Sequence, residues 1–176
     1  MTAGSDDARF AVAERLLETQ RSSHESLLAT WKYLEGKAQV AAGISGGFVG
    51  AVFAFIRGAG EGTTAGQRQL LALALGLLAL AVLCAVAALT VRQLPGRPYD
   101  AAAQGLSDLL RLEEGEDIKT RHQALLQQET RAWQEVCDAL RKGNGAKAGL
   151  VRASQSFLGS AILIVVVLST WVLFGS

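Results

Sequence analysis

Cysteine, histidine and proline each occur only twice in this chain of 176 residues. The cysteines, Cys84 and Cys137, are too few for a disulfide framework. A metal site would need further ligands at suitable spacing beside His24 and His122, and none is evident. No Ser/Cys–His–Asp arrangement can be named either. We therefore expect no metal, no catalytic residue and no enzymatic activity.

Charge is absent from three long stretches, 38–56, 69–91 and 153–176. Each is close to the roughly 20 residues that a helix needs to cross a bilayer. A chain inside lipid must satisfy its backbone hydrogen bonds internally, so these stretches are expected to be helical. The sequence predicts an all-α fold, a three-span helical membrane bundle with long cytoplasmic helical extensions.

The distribution of basic residues predicts the orientation of these spans. Five Lys or Arg precede the first charge-free stretch, two lie between the first and second, ten between the second and third, and none follows. Basic residues near membrane ends stay cytoplasmic. We therefore predict an N-terminal cytoplasmic helix (1–37), a first membrane helix (38–57), an outer loop (58–68), a second membrane helix (69–91), a cytoplasmic helical segment (92–152) and a third membrane helix (153–176).

The N-terminal part carries an apolar seam at steps of three and four residues, which is typical of one helix face. The seam contains Phe10, Ala13, Leu17, Leu27, Trp31 and Leu34 and is interrupted by Gln20 and His24. Since no proline intervenes, we expect one helix from about Asp7 to Ile56. Further along the chain, interruptions are expected near Gly115 and at 143–145.

Small residues recur at every fourth position of the first membrane helix: Ala38, Ala42, Gly46, Gly50 and Ala54. Such residues let another backbone approach closely, which is how helices associate in lipid. The partner is either the second membrane helix of the same chain or another subunit, and the sequence leaves both open.

Seven basic residues of the cytoplasmic segment, namely Lys119, Arg121, Arg131, Arg141, Lys142, Lys147 and Arg152, favour contact with lipid headgroups at the inner leaflet. Their other role would be to bind an anionic small molecule, with Trp31, Tyr33 or Trp133 stacking on a base. Nucleic acid is not expected as a partner, because acidic residues almost balance the basic ones on the same helices.

Three short motifs carry a resemblance to a known family. An aromatic residue followed by acidic-x-Lys-Ala leads into the first span at Trp31, Glu35, Lys37 and Ala38, with Glu and Gly36 where Asp and Thr are commoner. A proline-bearing stretch with Pro95 and Pro98 follows the second span, and Lys147 and Arg152 precede the third. With this layout, the chain resembles the membrane effectors of bacterial Pycsar antiphage systems.

That resemblance implies an inner-membrane effector with no catalytic residue. It implies activation by a cyclic pyrimidine nucleotide, cUMP or cCMP, made by a nucleotide cyclase that is a functional rather than a physical partner. Membrane lipid and further copies in a homo-oligomer are the expected physical partners. Under this hypothesis we predict that Arg121, His122 and Arg131 contact the ligand and that Trp133 stacks on it.

The competing hypothesis is a structural or scaffold membrane protein without gating. It would recruit a cytoplasmic partner through the apolar seam between Phe10 and Leu34.

Overall fold

The chain is described by a computed structural model over residues 3–59, 64–91 and 118–174. These residues form three α-helices, which are α1 (Ala3–Ala59), α2 (Ala65–Thr90) and α3 (Ile118–Phe174). All three are long and apolar enough to cross a membrane, and no strand occurs within these ranges. The predicted all-α architecture with three spans is confirmed.

The helices belong to two compact units. Of the described residues, unit 1 contains 3–31 and 118–144, and unit 2 contains 32–59, 64–91 and 145–174. Both α1 and α3 therefore contribute to each unit, whereas α2 belongs to unit 2 alone.

The first helix is a single uninterrupted element, as the lack of proline predicted. Its buried side chains recur at every seventh residue: Leu17, His24 and Trp31 in unit 1, then Ala38, Ser45 and Val52 in unit 2. Leu34 and Ala41, three positions after Trp31 and Ala38, are buried too. This heptad spacing keeps one helix face against its neighbours. His24 is thus a member of the seam and does not interrupt it.

The second helix begins at Ala65, four residues before the predicted membrane segment, because its first turn is capped. Thr64 Oγ1 accepts a hydrogen bond from the Gln67 backbone N–H, and Gln67 Oε1 accepts one from the Thr64 N–H at 2.9 Å. This reciprocal pair satisfies two N–H groups that otherwise lack helical partners. The cap extends the helix beyond its charge-free part to include Arg68.

The third helix passes through 143–145 without a break, so the predicted interruption at these residues is wrong. Heptad spacing explains the continuity, since buried side chains recur at every seventh residue: Leu140, Lys147, Ser154, Ala161 and Leu168. A helix with a continuously packed face tolerates the propensity cost of two glycines, about 1 kcal/mol each. The turn predicted near Gly115 lies outside the described residues.

In unit 2 the three helices alternate in direction. Ala38, Ala88 and Val151 pack together, whereas a Cβ built on Gly66 would lie 3.7 Å from the Trp171 ring. The C-terminal end of α2 is therefore near residues 38 and 151, and its N-terminal end is near the end of α3. Hence α1 and α3 run parallel within unit 2, and α2 runs antiparallel to both.

The helices of unit 2 approach closely because the buried face of α2 is mostly alanine. Ala74, Ala81, Ala85 and Ala88 are fully buried there, together with Leu78. Lipid removes most of the hydrophobic drive for helix association, so close contact between small side chains supplies the attraction.

Candidate functional site

The residues predicted to contact a ligand lie on α3 in unit 1. The side chains of Arg121 and His122 fall outside those described, so the predicted ligand contacts remain a prediction. Arg131 is exposed and Trp133 is half-buried. The Trp133 ring meets His24 of α1 edge-on, with ring centroids 5.1 Å apart and an interplanar angle of 75°. The Trp133 ring therefore already has an aromatic partner, His24, within the chain.

Trp31, the aromatic residue of the membrane-entry motif, packs against α3 within unit 1. Only 4% of Trp31 is exposed. A Cβ added to Gly143 would lie 2.9 Å from Trp31 Cζ3, which is closer than real carbon atoms pack. Gly143 is therefore the residue that lets the indole ring lie directly on the backbone of α3.

A polar contact joins the same two helices close to this indole. The Asn144 side-chain amide donates a hydrogen bond to the Leu27 carbonyl at 3.0 Å. Asn144 is buried, and its Oδ1 finds no hydrogen-bond partner among the residues described. A buried Asn in a heptad seam fixes the register of the helices at some cost in stability. We infer this positioning role for Asn144.

Glu35 of α1 and Lys147 of α3 form an ion pair in unit 2. Lys147 Nζ lies 2.9 Å from Glu35 Oε1. The Lys147 side chain is fully buried, whereas that of Glu35 is 39% exposed. The expectation that Lys147 contacts lipid headgroups is therefore wrong, because its position in the α3 heptad turns it into the helix interface. An ammonium group so placed needs a carboxylate, since an unpaired buried charge costs several kcal/mol or more.

Lys37, the next charge of the entry motif, is half-buried and makes a different contact. Its ammonium lies 4.5 Å from the centre of the exposed Tyr33 ring, a cation–π contact one turn away on the same helix. The three motif residues thus differ in role: Trp31 packs inside unit 1, Glu35 neutralises a buried lysine, and Lys37 contacts an aromatic ring of its own helix.

The small-residue stripe of α1 divides between the interior and the surface of unit 2. Ala38 is fully buried, Ala42 is half-buried, and Gly46, Gly50 and Ala54 are exposed. Helical geometry explains the division, because each four-residue step turns the side chain about 40° further around the axis. Packing within the chain therefore accounts for Ala38 and not for the last three positions. Their contact with another subunit remains a prediction.

Two buried serines lie in the interface of unit 2. The Ser154 hydroxyl donates to the Ala81 carbonyl at 2.8 Å and so links α3 to α2. The Ser45 hydroxyl on α1 is fully buried and has no partner among the described residues. Serine is common at interfaces between membrane helices, whereas a buried ionisable residue such as Lys147 is rare there.

Cys137 does not fit a catalytic role. It is buried in unit 1, and its Sγ lies 3.7 Å from the Gln20 carbonyl. Burial raises the pKa of the Cys137 thiol, an effect that Arg141 opposes and Asp138 reinforces. The thiol is therefore protonated at neutral pH and is a poor nucleophile. Within the described ranges, no cluster of His, Cys, Asp and Glu is suited to hold a metal ion.

Comparison with known proteins decides the family. A family model described as the Pycsar effector protein domain matches residues 19–174. This chain belongs to that family. No curated protein and no solved structure matches it significantly. The Pycsar effector domain is a family of transmembrane effectors and is not a known enzyme class. With its three span-length helices, the chain is a transmembrane effector of antiviral defence.

The ion pair joins two of the motifs that carried the resemblance. Glu35 comes from the segment that enters the first span, and Lys147 from the segment that precedes the third. The sequence alone does not predict this pairing, because Lys147 resembles the other basic residues of the same segment. The heptad register from Leu140 to Ser154 would have placed it in the interface.

Proposed function

We propose that this Pycsar effector resides in the bacterial inner membrane and is activated by a cyclic pyrimidine nucleotide, cUMP or cCMP. A partner cyclase makes the nucleotide on phage infection. Binding rearranges a homo-oligomer, and the rearranged oligomer impairs the membrane. The N-terminus is cytoplasmic and the C-terminus lies outside, in keeping with the distribution of Lys and Arg.

The observation that carries this proposal is that α1 and α3 each run through both units. Unit 1 is rich in charged and hydroxyl side chains, and unit 2 holds the span-length apolar stretches. A ligand in unit 1 therefore acts on the helices that form the membrane part, without an intervening linker.

The composition of the unit 2 interface supports a change in packing. Lys147, Ser45 and Ser154 are polar residues that are fully buried in the interface of unit 2. Polar groups of this kind favour hydration once the helices separate, so they narrow the free-energy difference between closed and open packing. A nucleotide opens the bundle only if it binds the open arrangement more tightly.

A leakage assay tests the proposal. The purified full chain, reconstituted in liposomes that contain a fluorescent dye, is expected to release dye on addition of cUMP or cCMP. Cyclic AMP serves as the control nucleotide and is expected to release little. Equal leakage with and without every nucleotide would contradict gating, and no leakage under any condition would contradict membrane impairment.

The exposed glycines of α1 provide a prediction about assembly. Gly46→Leu or Gly50→Leu is expected to abolish toxicity in cells while membrane insertion is retained, since a leucine there blocks close approach of another subunit. No atom lies within 4 Å of a Cβ built at either position, so the single chain accommodates the change.

Gly76→Leu is the matched control for this prediction. Gly76 is an exposed glycine on α2 with equally open surroundings, and its replacement is expected to leave toxicity intact. Full toxicity of the Gly46 and Gly50 variants, with normal expression, would show that this face does not join subunits.

The scaffold hypothesis gains no support from unit 1. The seam assigned to partner recruitment is occupied within the chain, because Leu17, His24 and Trp31 are all buried. A partner helix would first have to displace α3.

A further inference from the structure

A polar groove in unit 1 brings together groups that the sequence keeps far apart. Its volume is about 720 Å³, within the roughly 300–1,000 Å³ typical of small-molecule sites. One wall is a face of α1, and α3 contributes Arg141. The side chains that matter here are Arg15, Glu18, Ser22, Ser23, Ser26 and Arg141.

We propose that this groove binds the phosphate of a soluble ligand of mononucleotide size, with Arg15 and Arg141 as the phosphate contacts. This inference rests on the proposed function only for the ligand's identity as a cyclic pyrimidine nucleotide. The groove does not include Arg131 or Trp133, so it differs from the ligand site predicted from the sequence.

Two guanidinium groups from different helices suit a phosphate. Arginine donates paired hydrogen bonds in a plane that matches phosphate oxygens. Arg141 already donates to Asp138 at 3.0 Å, but both side chains are about 60% exposed. Such an exposed pair contributes little to stability, so the guanidinium can exchange Asp138 for a phosphate at little cost.

The remaining lining side chains favour a nucleotide over a bare anion. Ser22, Ser23 and Ser26 offer hydroxyl groups that donate to phosphate or accept from a base edge. The Glu18 carboxylate accepts hydrogen bonds only, which suits a ribose hydroxyl. Leu27 supplies an apolar contact at the same surface.

The net charge of the side chains that line the groove indicates the charge of the ligand. Two arginines and one glutamate give the lining a formal net charge of +1. That matches the single negative charge of a cyclic phosphate diester. A polyphosphate or a nucleic-acid strand would place additional negative charge against Glu18, which is unfavourable.

The test measures binding of cUMP, cCMP, cyclic AMP and inorganic phosphate to the detergent-solubilised full chain by calorimetry. Wild-type protein is compared with Arg15→Gln, Arg141→Gln and the double variant. A charge-assisted hydrogen bond contributes about 1.5–3 kcal/mol, so each single change is expected to weaken binding of the preferred nucleotide about 10-fold or more. Lys142→Gln removes the same charge one residue from Arg141 and outside the groove, and is expected to weaken binding less than 2-fold.

Arg131→Gln separates the groove from the site predicted by sequence. If it abolishes nucleotide binding while the Arg15 and Arg141 variants bind normally, the groove inference is overturned and nucleotide activation stands. If cyclic AMP or phosphate binds in a manner that requires Arg15 and Arg141, and cUMP and cCMP do not bind, the groove stands and pyrimidine specificity fails. If no soluble probe binds wild-type protein, the inference is overturned.

Lipid headgroups carry the same phosphate chemistry, so a vesicle arm distinguishes the two sources. The variants are mixed, in detergent-free nanodiscs of neutral lipid, with vesicles that contain 30% or 0% anionic phospholipid. Equal vesicle binding by wild-type and double-variant protein supports a soluble ligand. A loss of vesicle binding in the double variant, with nucleotide binding unchanged, overturns the assignment.

Discussion

Glu35→Gln is expected to destabilise the folded chain by about 2–3 kcal/mol, because it removes the carboxylate charge that lies 2.9 Å from the buried Lys147 ammonium. Lys147 is fully buried and Glu35 is partly exposed. Removing one partner of a completely buried pair costs about 3–5 kcal/mol, and partial hydration of Glu35 lowers that figure. Unfolding of the purified chain in mixed micelles, followed by circular dichroism, measures the loss.

Lys147→Met separates the burial of charge from packing. It removes the buried cation, keeps a long side chain, and leaves Glu35 in contact with water, so the expected loss is below about 1.5 kcal/mol. In the double variant, Glu35→Gln is expected to cost little beyond Lys147→Met alone, since no buried charge remains. Additive effects would show that the two residues act independently.

Glu129→Gln is the matched control for Glu35→Gln. It breaks the ion pair with Arg21 in unit 1, where the Arg21 side chain is 56% exposed. Exposed pairs contribute about 0–1 kcal/mol, so the control is expected to change stability far less. Equal losses for the two glutamate variants would refute the special role assigned to the buried lysine.

The two glutamate variants also differ in their expected effect on function. A loss of about 2 kcal/mol from the closed packing alone shifts a two-state equilibrium roughly 30-fold. Under the proposed function, Glu35→Gln is therefore expected to raise dye leakage without nucleotide, and Glu129→Gln is not. If the Glu35 variant is destabilised but its leakage without nucleotide is unchanged, the ion pair does not contribute to the difference between closed and open packing.

Much of the fold follows from the sequence because charge is expensive in lipid. The charge-free stretches fixed the number of spans, and the absence of proline from the segment before the first span predicted α1 as one helix. Both inferences depend on local properties of the chain. They need no knowledge of which residues meet.

The errors arose where the interpretation depended on which face of a helix packs. Small residues at four-residue steps were interpreted as one stripe along one face of α1. Four such steps, however, rotate the side-chain direction by about 160° around the helix axis, from buried Ala38 to exposed Ala54. Seven-residue steps drift only about 20° per heptad. A search for heptads would have selected Ala38, Ser45 and Val52 instead, and Lys147 on α3 by the same rule.

The candidate groove could not be predicted from the sequence, for a different reason. Arg15 and Arg141 lie 126 positions apart, and nothing in either segment indicates that they share a surface. Their meeting depends on the register between α1 and α3. That register is set by long-range contacts such as the one from Asn144 to Leu27.

Alanine substitutions at Gly143 and Gly145, which the sequence does not distinguish, are expected to change stability in opposite directions. Gly143 and Gly145 both lie inside α3, where alanine is favoured over glycine by about 0.5–1 kcal/mol. At Gly145 an added Cβ meets no atom within 4 Å and the position is exposed. Gly145→Ala is therefore expected to stabilise the chain by roughly that amount.

At Gly143 the added methyl would lie 2.9 Å from Trp31 Cζ3 and 3.6 Å from Cη2. The indole is 4% exposed, so surrounding side chains prevent it from swinging aside. Overpacking of this kind costs about 1–3 kcal/mol, which exceeds the gain in helix propensity. Gly143→Ala is expected to lower stability by about 1 kcal/mol, and thus to differ from Gly145→Ala by about 2 kcal/mol in the same unfolding assay.

Trp31→Phe in the Gly143→Ala background tests the cause, because a phenyl ring is smaller than the indole that the new methyl meets. In wild-type protein Trp31→Phe removes buried contacts and is expected to be destabilising. With alanine at 143 the same change relieves the clash, so its cost is expected to fall by about 1 kcal/mol. An equal cost in both backgrounds would mean that the indole does not rest on Gly143. A gain in stability from Gly143→Ala would carry the same meaning, because the three atoms nearest to the added Cβ all belong to the Trp31 ring.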